Sequence, residues 1–223
     1  MISVHHLNNS RSQRVLWLLE ELGLDYDIVR YERDEQTLLA PPGLRAVHPL
    51  GKSPVITDGD RTIAESGAII EYLVGWYGDG RLAPAPRTEE RLRYTYWMHY
   101  AEGSAMPQLL LAIVFRRIPK SPMPFLVRPI ARGICDKVLA TLVEPQLERH
   151  TDYLESELSR SEWFAGDAFT AADIQMSFVV EALVARSRSA ASKKRLNDWL
   201  ARIHARPAYA RALERGGPFE VPG

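Results

Sequence analysis

The sequence predicts a mixed α/β unit followed by an all-α unit, and three observations carry that reading. Over residues 2–77, short strand-like runs alternate with an amphipathic helix, and a hairpin and a second helix follow. Gly78-Asp79-Gly80, with Pro84 and Pro86, then marks a linker. Beyond it, every periodic stretch has helical spacing.

Ile2 to Leu7 is bounded by Asn8-Asn9-Ser10 and reads as a strand followed by a turn. From Ser12, the positions Val15, Leu16, Leu18, Leu19 and Leu22 follow helical spacing, and Gly23 supplies the stop. Tyr26 to Tyr31 reads as a second strand; a strand–helix–strand opening implies a right-handed crossover and a parallel pair. Residues 34–47, with Pro41-Pro42-Gly43, predict a loop with a short helix, in which Gln36 and Thr37 are loop positions. Pro54 to Thr57, the turn Asp58-Gly59-Asp60 and Arg61 to Ala64 form a hairpin, and a helix over 66–77 closes the unit. This order is that of a thioredoxin-like fold, so the expected domains are 1–79 and an all-helical 87–223.

In the second domain, one long helix is expected over 88–118, kinked by Pro107 through loss of a backbone donor. Pro119, Pro122, Pro124 and Pro129 predict a loop. Helices follow at about 132–159, 170–187, 193–205 and 207–214. Thr170-Ala-Ala-Asp173-Ile174 has the pattern of a capping box, with Phe169 and Ile174 at the staple positions.

Composition bounds the function. The 223 residues carry 28 basic and 28 acidic side chains, and 46 % are hydrophobic, ample for a core. Residues 1–79 hold 7 Lys/Arg and 12 Asp/Glu, a net −5, so residues 80–223 hold +5. Opposite signs favour docking of the halves, within one chain or across a dimer. No run of like charge reads as a nucleic-acid arm, and no apolar stretch is long enough to span a bilayer, so neither nucleic acid nor membrane is an expected partner. A single cysteine, Cys135, excludes an internal disulfide framework and thioredoxin-type Cys-x-x-Cys chemistry. It reads as a buried packing residue. With no signal-like N-terminus, the expectation is a cytoplasmic protein. No His/Cys/Asp cluster has ligand spacing, so no metal is expected.

The chemistry concentrates in His48-Pro-Leu-Gly-Lys-Ser-Pro-Val-Ile56 and in Glu65-Ser66-Gly67. Pro54, directly before a strand, belongs in its first position or in a turn, and a cis bond after Ser53 would leave the Val55 backbone free to pair with an extended peptide. Glu65 and Ser66 open a helix whose first N–H groups attract a carboxylate, and Lys52 adds a cation. Ser10 lies in the turn after the first strand, where its hydroxyl and nearby N–H groups would converge on a ligand sulfur and lower its pKa. Read alone, Ser10 or Ser12 is better explained as a helix N-cap.

These motifs, in order and spacing over nearly the whole chain, resemble those of the cytosolic glutathione transferase superfamily. The run Trp97-Met-His-Tyr-Ala-Glu-Gly-Ser-Ala-Met-Pro107 resembles fungal and bacterial members. The resemblance implies a serine-type, theta-like site with Ser10 as the catalytic hydroxyl, and leaves Ser12 and Asn9 as alternatives. It implies that Lys52 holds the glycine carboxylate of glutathione, that Val55 behind Pro54 pairs with its cysteine backbone, and that Glu65 and Ser66 hold the γ-glutamyl ammonium and carboxylate. It also places an electrophile pocket against the long helix, with Tyr94, Met98, Ala101 and Phe115 as lining candidates; a Met and aromatic stripe of this spacing otherwise reads as core. The implied activity is conjugation of the glutathione thiolate to hydrophobic electrophiles by a homodimer, with no cofactor beyond glutathione. Glutathione-dependent peroxide reduction and a non-catalytic interaction module are the alternatives.

Overall fold

A computed structural model describes residues 1–34, 37 and 39–219; the expected loop position Gln36 lies outside them. Strands β1 (Ile2–Leu7), β2 (Tyr26–Tyr31), β3 (Val55–Asp58) and β4 (Arg61–Ala64) form one sheet in the order β2-β1-β3-β4. The β1–β2 pair is parallel and the other two pairs are antiparallel. Helices α1 (Ser12–Leu22), α2 (Gly43–Val47) and α3 (Ser66–Tyr77) complete this α/β half. Gly23 caps α1 with a left-handed φ of 68°, a conformation glycine adopts without a Cβ penalty, and donates to the Leu19 carbonyl.

The helical half comprises α4 (Glu89–Tyr100), α5 (Met106–Arg117), α6 (Arg128–Val138), α7 (Glu144–Arg160), α8 (Ala171–Arg186), α9 (Arg188–Ala191), α10 (Lys194–His204) and α11 (Pro207–Gly216). The long helix expected over 88–118 is interrupted by a π-helical turn, Ala101–Ala105, in which the Met106 N–H reaches the Ala101 carbonyl. Pro107 falls just beyond this turn, in the first turn of α5, so its missing N–H lies where the ladder is already widened. The helix expected from 132 begins at Arg128, because Pro129 sits in its first turn, where proline is tolerated. A second π-helical turn, Leu139–Val143, separates α6 from α7. The short α9 was not expected.

Thr170 and Asp173 form the capping box: the Asp173 carboxylate accepts from the Thr170 N–H at 3.0 Å, and the Thr170 hydroxyl accepts from the Ala172 N–H at 3.3 Å. Asp173 also accepts from the Phe164 N–H and the Trp199 indole, so one buried carboxylate ties three segments together. Cys135 is free and buried, as expected.

Helix α1 lies at the junction of the two halves, buried between β1, α3, α8 and α11. The opposite charges of the halves meet here: Arg206 pairs with Glu21, and Arg211 and Arg215 pair with Glu20. No helix among the described residues is long and apolar enough to cross a membrane.

Candidate active site

Beyond β1 the chain turns through Asn9, whose φ of 47° is a left-handed value that asparagine tolerates. Ser10 follows, 4 % exposed, its hydroxyl facing a cleft. Its oxygen accepts from the Ser12 N–H at 3.2 Å, while the N-cap of α1 is Arg11, whose side chain makes no capping bond. It also lies 2.7 Å from the Ser12 hydroxyl and 3.4 Å from that of Ser53. Ser12 is fully buried behind Ser10, 2.8 Å from Nδ1 of His6, and does not line the cleft, whereas Asn9 and Ser10 do. Burial pushes the His6 imidazole down to about 4, aided by the nearby Arg30, so this backing is neutral near pH 7. His5, the other histidine of this strand, is buried as well.

The Ser53–Pro54 bond is cis. Val55, expected to offer its backbone to a ligand, is instead fully buried and paired in register with His5 on one side and Ala64 on the other. The reason is topological: β3 lies between β1 and β4, so its first residue already belongs to both ladders. The backbone left outside the ladders at this turn is that of Ser53, two residues earlier and just before the cis proline, which lines the cleft and donates its hydroxyl to the His5 carbonyl at 3.0 Å.

Glu65 precedes α3 with a φ of 72°, a conformation that a residue with a Cβ adopts only when its surroundings impose it. The next residue, Ser66, is 3 % exposed and its hydroxyl has no hydrogen-bond partner among the described residues. Buried hydroxyls are almost always paired, so an unpaired one facing a pocket marks where a ligand atom belongs. That pocket is shared by Arg11, His48, Lys52, Ser53, Glu65 and Ser66. It adjoins a larger cavity of about 370 Å³, which includes Asn9, Ser10, Arg33, Arg45 and Phe178 of α8. The geometry thus brings Ser10, Lys52, Pro54, Glu65 and Ser66 to one cleft, with a helix N-terminus and two flanking cations for carboxylate groups.

The proposed electrophile-lining residues are not brought there. Tyr94, Met98 and Ala101 are buried in the core of the helical half, and Phe115 packs against that core. The apolar side chains at the cleft are Leu7, Leu39, Leu50 and Phe178. What the long helix sends toward the α/β half is Glu102, which meets Arg11, a residue of the cleft wall. The π-helical turn presents its carboxylate to Arg11 and to Arg14, the latter at 3.1 Å, and Gln175 donates to it at 3.2 Å. Burial pushes this carboxyl up, but Arg14 and Arg11 outweigh burial and hold it below its ordinary value. The polar interruption Glu102-Gly103-Ser104 was visible in the sequence; its partners across the halves were not.

The chain is similar to known proteins over nearly its whole length. Residues 10–74 match the family of glutathione S-transferase N-terminal domains, and residues 123–207 that of the C-terminal domains. Glutathione S-transferase 3 of Schizosaccharomyces pombe is 36 % identical, over 96 % of this chain and 88 % of its own length. Glutathione S-transferase 1 of Saccharomyces cerevisiae is 32 % identical, over 96 % of this chain and 95 % of its own. The crystal structure of a glutathione S-transferase from Actinobacillus pleuropneumoniae superposes with a TM-score of 0.81 at 33 % identity, covering 98 % of this chain and 94 % of that one. The chain belongs to the glutathione S-transferase family.

Proposed function

We propose that this transferase binds glutathione in the cleft between Ser10 and Ser66 and conjugates its sulfur to hydrophobic electrophiles. The observation that carries the reading is the buried, unpartnered Ser66 hydroxyl at the start of α3, beside the strained Glu65. An amino-acid zwitterion satisfies this pair: its carboxylate accepts from Ser66 and the helix N–H groups, and its ammonium meets Glu65. The middle of the peptide pairs with the Ser53 backbone, and its far carboxylate meets Lys52. The sulfur then reaches Ser10. While donating to sulfur, the Ser10 hydroxyl still accepts from the Ser12 N–H, so the thiolate gains a donor without unsatisfying the turn.

Reaction follows from this placement. The thiol proton leaves to solvent, the thiolate attacks the electrophilic carbon, and a carbon–sulfur bond forms as the leaving group departs with its electron pair. Leu39, Leu50 and Phe178 offer the apolar side of the cavity to the second substrate. A homodimer is proposed as well, supported by the exposed Trp76, Leu92 and Tyr96 on α3 and α4. Cytoplasmic placement is proposed with it, in keeping with a single cysteine, Cys135.

Calorimetric titration with glutathione, followed by turnover of a chromogenic aryl halide, tests this reading. Saturable binding with turnover supports it. Binding without turnover favours an interaction module, and turnover with an organic hydroperoxide alone favours the peroxide alternative.

A further inference from the structure

The charge asymmetry of the chain resolves to one short segment. Residues 114–138 hold Arg116, Arg117, Lys120, Arg128, Arg132 and Lys137 against Asp136 alone, a net +5, so the other 198 residues together carry −5. The same segment is unusually apolar on its outside. Phe125 is 78 % exposed, Leu126 70 %, Ile130 65 % and Ile134 59 %. Val127, Ile130 and Ile134 stand at i, i+3 and i+7, one stripe of α6, while the residue α6 buries is Cys135. The apolar face of α6 is therefore wider than the part covered by α5 and the turns on either side of it. Basic side chains interleave with the stripe: Arg117, Lys120, Arg128, Arg132 and Lys137 are all exposed.

We propose that residues 114–138 form a peripheral membrane-binding surface, with an anionic lipid bilayer as its partner. Charge decides between the occupants of such a face. A two-fold contact with a second copy would set +5 against +5, whereas an anionic bilayer complements both features at once. The apolar stripe enters the headgroup boundary while the flanking Lys and Arg remain among the lipid phosphates. This departs from the expectation that no membrane partner exists, because a stripe of isoleucines in a helix reads as core until its exposure is known. None of these residues lines the Ser10–Ser66 cleft, so the surface would localise the transferase without altering its chemistry.

Co-sedimentation of the full chain with vesicles tests the proposal. Vesicles of phosphatidylcholine alone are compared with vesicles that also contain phosphatidylserine, at low and at physiological salt. Binding is expected only with phosphatidylserine, and weaker as salt screens the charges. Ile130→Ser with Ile134→Ser should lower partitioning by at least about tenfold. Arg128→Gln with Arg132→Gln should lower it about fivefold per charge removed. Phe125→Ser, at a turn position with little to unfold, should weaken binding in the same direction. Aryl-halide turnover and thermal melting should stay at wild-type values in all of them. Failure to sediment with phosphatidylserine vesicles at low salt, or equal binding to both vesicle types, overturns the proposal. So does a change in oligomeric state in the Ile variants without vesicle binding by the wild type, since the face would then be a protein contact.

Discussion

The Glu102 carboxylate accepts a hydrogen bond from the Arg14 guanidinium at 3.1 Å and so joins the two halves of the molecule beside the cleft. Arg14 is 2 % exposed, and it also donates to the carbonyl and side-chain oxygen of Gln175. Removing the carboxylate leaves a buried cation with only neutral partners. Glu102→Ala should therefore destabilise the fold by about 3 kcal/mol, the usual scale for breaking a buried pair from one side. It should also weaken glutathione binding, because Arg11 loses the partner that fixes it at the cleft wall. Urea denaturation and calorimetry measure the two effects separately.

Ser66→Ala should move stability and binding in opposite directions. The unliganded protein loses a buried hydroxyl without a partner, which should raise its stability by about 1 kcal/mol. Affinity for glutathione should fall by about 1.5–3 kcal/mol, the value of a hydrogen bond to a charged group. Denaturation without ligand and titration with it check the two signs.

Asp173 gives a pH dependence. Burial, outweighing the hydrogen bonds from Phe164 and Thr170, pushes its carboxyl from an ordinary 3.8 up to about 6. The native state therefore binds more protons than the unfolded chain between those values. This contribution to stability is fully present below about pH 4 and is lost as pH rises through about 6. Asp173→Asn does not titrate, so the wild-type stability minus that of the variant should fall across this window and then level off. Denaturant titrations at a series of pH values measure it.

Gly216 fixes the docking of α11 on α1. A Cβ there would lie 2.5 Å from Leu16 Cδ1 and 2.9 Å from Gln13 Oε1. Gly216→Ala should cost about 1–3 kcal/mol through overpacking at a buried contact, read as a lowered denaturation midpoint.

Local signals made much of this molecule legible in its sequence. The strand and helix order of the α/β half, the Gly23 stop, the Thr170–Asp173 capping box and the Pro54 turn all rest on patterns a few residues long. What escaped depends on contacts between distant segments. Val55 looked available because a proline precedes it, but only the sheet order shows that β1 and β4 both flank it. The π-helical turn at Ala101–Ala105 has no local marker apart from its polar interruption, and its consequence, the reach of Glu102 to α1, spans the two halves. Tyr94 and Met98 have the spacing of a stripe, which does not tell a core from a pocket wall.

The central claim is that the Ser10 hydroxyl holds the glutathione thiolate, and ultraviolet titration of thiolate absorbance in the bound complex tests it most directly. In Ser10→Ala the pKa of the bound thiol should rise toward about 8.5, the value of a free thiol, while affinity for glutathione stays close to wild type. Turnover should fall at neutral pH and recover as pH rises. An unchanged titration in Ser10→Ala, with a shift in Asn9→Ala or Ser12→Ala instead, would contradict the assignment. If none of the three variants shifts it, backbone N–H groups alone hold the thiolate.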